Sequence, residues 1–165
     1  MEMEFIDKET LKSLSDRYNN NDILDAVGKI LAGEIEKNTS SEDECILKYI
    51  QILEGTRTRL KELHWNTKSS TIHELMDSLS SFVISNEDEI AEAFMGVCGY
   101  RIKVGQIVPI IPDVCDHIEI IEYLSSETLF LIKKLLNNIK YVGITKLLED
   151  IYCGLNKYAY LATQE

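Results

Sequence analysis

SEDECILKYIQILEGTRTRLKELHWNTKSSTIHELMDSLSSFVISNEDEIAEAFM, residues 41–95, contains two helix starts separated by one short polar break. Ser41-Glu42-Asp43-Glu44 reads as a capping box, with Ser41 at the N-cap and Glu44 at N3. In such a box the two side chains satisfy backbone N–H groups that the first helical turn leaves without partners. Thr71-Ile72-His73-Glu74 reads as a second box. Between them, Ile46, Tyr49, Ile50, Leu53, Leu60 and His64 recur at the three- and four-residue spacing of one helix face, which predicts a helix ending near Trp65. Asn66 to Ser70 is polar and separates this helix from the next. That second helix runs to about Met95 and stops at Gly96 and Gly99. Two prolines and eight glycines in 165 residues leave few breaks elsewhere, and the fold class is all-α.

Downstream, residues 100–112 hold both prolines and alternate apolar with polar side chains at Tyr100, Ile102 and Val104, the pattern of a crossover. Asp113 or Asp116 then caps a short helix ending at Ser125-Ser126. Glu127 to Tyr141 forms a further helix with Leu129, Ile132, Leu136 and Ile139 inward, and Gly143 separates it from a last helix, Ile144 to about Thr163. Upstream, a segment from Asp7 to Tyr18, a break at Asn19-Asn20-Asn21 and an apolar stripe from Ile23 to Ile35 predict a helical hairpin over residues 1–40. Residues 41–165 are then a four-helix bundle with a long connection between its second and third helices, preceded by an N-terminal helical extension.

Seventeen basic against 28 acidic side chains give a net charge of −11, which disfavours DNA and anionic lipid surfaces. Apolar runs fall far short of the ~20 residues of a membrane span. The acidic start, Met1-Glu2-Met3-Glu4, lacks the pattern of a secretory leader, so a cytoplasmic protein is expected. Cys45, Cys98, Cys115 and Cys153 are too scattered for a zinc knuckle or a disulfide framework and read as reduced thiols.

On the second helix, at 3.6 residues per turn, His73, Asp77, Asp88 and Glu92 share one face. Asp77 and Asp88 are nevertheless ~16 Å apart along the axis, too far to hold one ion. The midpoint of His73 and Glu92 and that of Asp77 and Asp88 coincide between Phe82 and Val83. A two-fold axis crossing there sets His73 and Asp77 of one chain opposite Glu92 and Asp88 of another, creating two equivalent sites per dimer. His64 adds a second imidazole to each when the turn through Ser70 folds back. Mixed imidazole and carboxylate ligands suit iron or manganese better than calcium or structural zinc. Spacing alone leaves the ordinary reading open as well: acidic residues four apart on a helix commonly form a solvated face, and a histidine on an apolar stripe is commonly a core residue.

Leu63-His64-Trp65-Asn66-Thr67-Lys68, then His73-Glu74-Leu75-Met76-Asp77, then Asp88-Glu89-Ile90-Ala91-Glu92 resembles the Dps-type mini-ferritins, whose pattern runs LHWNxKG, HExxD and DxxxE. The resemblance covers roughly residues 42–165 and implies a ferritin-like bundle, Glu122-Tyr123-Leu124-Ser125 looking like the family's short crossover helix. It implies a metal site shared across a two-fold: His64, His73 and Asp77 from one subunit with Asp88 and Glu92 from its mate, Glu92 as a bridge, Asp88 as ligand or orienting group, and Trp65 beside the site as a quencher of oxidising equivalents. The implied function is oxidation of Fe(II) at a di-iron or mono-iron site, manganese or zinc being alternative occupants, and storage of ferric iron in a homo-oligomeric, dodecameric cage that protects against oxidative damage. The other function class is a non-catalytic ferritin-like structural or interaction protein, such as a phage- or mobile-element-encoded relative.

Overall fold

The computed structural model describes residues 40–164, within a unit that begins at Ser40; the N-terminal hairpin expected over residues 1–40 lies, but for Ser40, outside the described residues. Four helices follow: α1 (Ser41–Asn66), α2 (Ser70–Cys98), α3 (His117–Leu135) and α4 (Val142–Ala162), the last entered through a 3-10 turn, Ile139–Tyr141. No strand occurs among the described residues. α1 packs chiefly on α2 and α3, and α4 on the same two, so the helices stand at the corners of a square. None of these helices is long and apolar enough to cross a membrane.

The helix starts differ from the expected ones by one or two residues. α1 is capped by Ser40, not Ser41: Ser40 Oγ accepts from the Asp43 N–H at 3.1 Å, and Asp43 Oδ2 accepts from the Ser40 N–H at 3.2 Å. The box is real, but its acid is Asp43 rather than Glu44. α2 is capped by Ser69, not Thr71, with Ser69 Oγ accepting from the Ile72 N–H at 3.3 Å; three residues on from Ser69 is an isoleucine, so the reciprocal half of the box is absent. α2 also outlasts Met95 by almost a turn. It ends where Gly99 takes φ +66°, a left-handed conformation that glycine adopts without a Cβ clash.

The second half of the bundle corrects the sequence reading more strongly. Ser125-Ser126 does not end a short helix, because α3 is continuous through it. Ser126 Oγ donates to Tyr123 O and Thr128 Oγ1 to Leu124 O, both at 2.7 Å, so the hydroxyls bond back onto the preceding turn instead of drawing the chain out of the helix. Glu122-Tyr123-Leu124-Ser125 is thus part of α3 and not a separate crossover helix. The break comes later, at Leu136–Asn138, and Gly143 lies inside the first turn of α4. With this register Ile120, Ile121, Leu124, Leu131 and Leu135 face the core, whereas Leu136 and Ile139, expected inward, are 61% and 85% exposed.

One core joins all four helices, from Ile46, Ile50 and Leu60 through Met76, Val83 and Phe94 to Ile144, Leu148 and Leu155. Burying a side chain of this size stabilises by roughly 1.5–3 kcal/mol. Tyr49 reaches across it to hydrogen-bond Thr128 Oγ1 at 2.7 Å, which satisfies the phenol; burial pushes its ionisation far above the usual range.

Two polar arrangements fix the ends of the bundle and its long connection. Asp43, 5% exposed, accepts from Tyr141 Oη at 2.6 Å, Cys98 Sγ at 3.1 Å and Lys140 Nζ at 3.2 Å, joining the start of α1 to the end of α2 and the entry to α4. Burial alone would raise its pKa, but the bonds from Tyr141, Cys98, Ser40 and Lys140 hold the carboxyl at about 2. The crossover, residues 100–116, runs against α1: the Ile110 N–H donates to Gln51 O at 2.9 Å, and Arg59 Nε to Pro112 O at 3.0 Å. Gly55, in the middle of α1, has no side chain to hold that backbone away.

Candidate metal centre

α1 and α2 are joined by only Thr67–Ser69, so the last turn of α1 lies against the first turns of α2. His64 and His73 meet there with ring centroids 3.7 Å apart and planes tilted by 37°. Asp77, one turn beyond His73, places Oδ1 3.0 Å from His64 Nδ1. Ligand atoms of His64, His73 and Asp77 all fall within 4.8 Å of one another, the one such grouping of His, Cys, Asp and Glu among the described residues. His64 is half-buried, while His73 and Asp77 are exposed.

His64 Nδ1 is shielded from solvent, yet it has no hydrogen-bond partner among the described residues. Its approach to Asp77 lacks the alignment of an N–H···O bond. Two imidazole nitrogens and a carboxylate oxygen converging on one point are what a transition-metal ion needs, and the pair of histidines with one carboxylate is a donor set suited to Fe(II) with open positions. The residues present therefore fit iron, with manganese and zinc compatible.

Asp88 and Glu92 are not part of this cluster. They lie farther along α2, exposed on the same outer face as His73 and Asp77. Their neighbours on that face are short or apolar: Ser78, Ser81, Ile84 and Ser85 separate the two pairs, all exposed. Asp88 borders a groove of about 540 Å3 between α1, α2 and the crossover, and Glu92 borders an adjoining one of about 450 Å3 around Tyr100 and Arg101. Trp65 follows His64 directly and is 71% exposed. His117 lines a small crevice with Leu63 and Ile72, while its neighbour Asp116 caps α3 by accepting from the N–H groups of Ile118 and Glu119 at 2.8 Å.

A second charged group was not legible beforehand. Arg57 of α1 bridges Glu54 of its own helix and Glu87 of α2, the latter at 3.3 Å. Burial, then the charge of Glu54, pushes Glu87 up to about 7, with Arg57 opposing. The i, i+3 spacing of Glu54 and Arg57 is visible in the sequence, but Glu87 is 30 residues away and carries no local signal.

No protein-family model matches the chain, and no curated protein or solved structure matches it.

Proposed function

We propose that the chain is a Dps-like, ferritin-like protein that binds Fe(II) as substrate at sites shared between two copies, oxidises it and holds the ferric product within a homo-oligomeric cage. The observation that carries this reading is the convergence of His64, His73 and Asp77, with the shielded His64 Nδ1 3.0 Å from Asp77 Oδ1 and without a hydrogen bond. Three protein atoms leave open positions on an ion. The symmetric placement of Asp88 and Glu92 on the same exposed face of α2 supplies two carboxylates from a second copy, and the serines and the exposed Ile84 between the pairs place no charge where two α2 helices would meet. Carboxylates favour the ferric state because they add negative charge around a more highly charged ion.

The electron balance is simple: two Fe(II) each lose one electron, and one hydrogen peroxide takes both with two protons to give two water molecules. Dioxygen takes four. His64 and His73 hold the ion through nitrogen, Asp77 and Glu92 through oxygen, and Asp88 binds or orients a neighbouring group. Trp65, adjacent to His64, is placed to give up an electron to a stray oxidant. Net charge −11 argues against DNA as a partner and suits attraction of cations.

A second reading, a non-catalytic structural or interaction protein of the same bundle type, is favoured by one observation: the short crossover helix that the family resemblance implies is absorbed into a continuous α3.

Complementation separates the two. A His73→Ala/Asp77→Ala chain and an Asp88→Ala/Glu92→Ala chain should each lose Fe(II) oxidation as homo-oligomers. Co-assembled, each mixed dimer has one site with all four defects and one with none, so activity should return to up to half the parental sites. Activity that stays absent after verified co-assembly would refute the shared site.

A further inference from the structure

We propose that Trp65 of one copy seats in the groove between α1, α2 and the crossover of a second copy, so that this groove is the socket of the dimer. The inference rests on the two-fold pairing of α2 helices put forward above. His64 stacks on His73, so Trp65, the next residue on α1, stands level with Ile72 and His73 of its own α2. Reflected through the midpoint between Phe82 and Val83, that level falls on Glu92 and Ala93 of the other copy. The α2 wall of the groove runs from Glu87 to Met95, and so spans it.

The flank agrees as well as the level. A two-fold that brings two outer faces of α2 together lies in their interface, perpendicular to the helices, and keeps each α1 on the same side. The groove is lined by Ile50 of α1 as well as by α2, so it lies on the α1 side, where the other copy's Trp65 arrives. Ile50, Ala91, Met95, Ile107 and Pro109 give it apolar lining, beside the charged Glu54, Glu87, Asp88 and Arg101. An indole fits such a lining, since it buries a large apolar face and attracts a guanidinium to that face. About 540 Å3 is ample room for it.

Charge complements shape. Trp65 is flanked by exposed Lys61 and Lys68, whereas exposed Asp88 lines the α2 side of the socket and exposed Glu92 borders the adjoining groove. Trp65 is the chain's only tryptophan and is 71% exposed in the single copy, an unfavourable setting that docking relieves.

The test is intrinsic fluorescence of the full-length protein, in which every photon of indole emission comes from this residue, with sedimentation velocity on the same samples. In the associated species, Trp65 should emit to the blue of N-acetyltryptophanamide, and its acrylamide quenching should fall at least about two-fold below that of the free indole. Trp65→Ala should weaken association by roughly tenfold or more. Ala91→Phe, which fills the socket, should do the same and return Trp65 to full quenching. An associated species whose Trp65 quenches like the free indole overturns this inference and leaves the shared site standing. A protein that sediments only as monomer at hundreds of micromolar overturns both.

Discussion

Replacing Gly55 by alanine is a sharp trial of how the crossover is held. The new Cβ would fall on the carbonyl of Ile110 and lie 2.7 Å from Ile111 N, where ordinary contact begins at 3.4 Å. The crossover backbone must therefore retreat by at least 0.7 Å at Ile111, and by more at Ile110. The 2.9 Å bond from the Ile110 N–H to Gln51 O does not survive that shift, and it contributes about 1 kcal/mol. Crowding of a close-packed contact adds about 1–3 kcal/mol. Alanine returns about 1 kcal/mol through its better helix propensity. The net expectation is a loss of about 2 kcal/mol in urea unfolding, with faster hydrogen exchange at Ile110. Because Ile107 and Pro109 line the groove, Gly55→Ala should also weaken self-association. A variant as stable as the parent, with Ile110 still protected, would show that the close approach is not as described and would sink the argument.

Acid and alkali should unmask two other carboxyls. Asp43 has a folded pKa of about 2 against an ordinary 3.8, so its contribution is complete above pH 4 and is lost as the pH falls towards 2. Asp43→Asn should cost about 2 kcal/mol at pH 7, and the difference from the parent should shrink on acidification, as followed by denaturant midpoints. Glu87 has the opposite sign: its pKa is raised from 4.5 to about 7, so parental stability is lost as the pH rises between those values. Glu87→Gln should match the parent near pH 4.5 and exceed it by on the order of 2 kcal/mol at pH 8; equal midpoints at both pH values would contradict the burial argument. His73→Ala should reduce Co(II) binding by the full-length protein at least about tenfold, read by visible absorption, without lowering its melting temperature by more than a few degrees; unchanged Co(II) affinity would remove His73 from the site.

The α1–α2 hairpin was legible because its signals are local: caps, apolar spacing and a polar turn all lie within a few residues of the structure they specify. Even so, Ser40 and Ser69 displaced the expected caps, since neighbouring serines offer the backbone nearly equal partners. Ser125-Ser126 misled because a hydroxyl can either draw the backbone out of a helix or bond back within it, and the surrounding burial decides which. Leu136 and Ile139, expected inside the following helix, instead lie beyond its end at Leu135, in the break and the 3-10 turn, and are exposed. His64, His73 and Asp77 were readable as candidates from spacing, whereas their convergence depended on a three-residue turn. Tyr141 and Lys140 around Asp43 were not readable, being 98 and 97 residues away.

The hairpin's two ends are fastened by different means. At the end where α1 starts and α2 finishes, the Asp43 carboxylate is compensated by Lys140, a cation that the chain carries with it. At the turn, Asp77 has only the His64 ring as an ion-pair partner among the described residues. One clasp is permanent and the other is left to a visitor. An ion entering the turn does there what the Lys140 ammonium does at the far end, so metal occupancy converts a hairpin locked at one end into one locked at both. Amide exchange around Thr67–Ser69 should then slow with metal loading, while exchange beside Asp43 should not change.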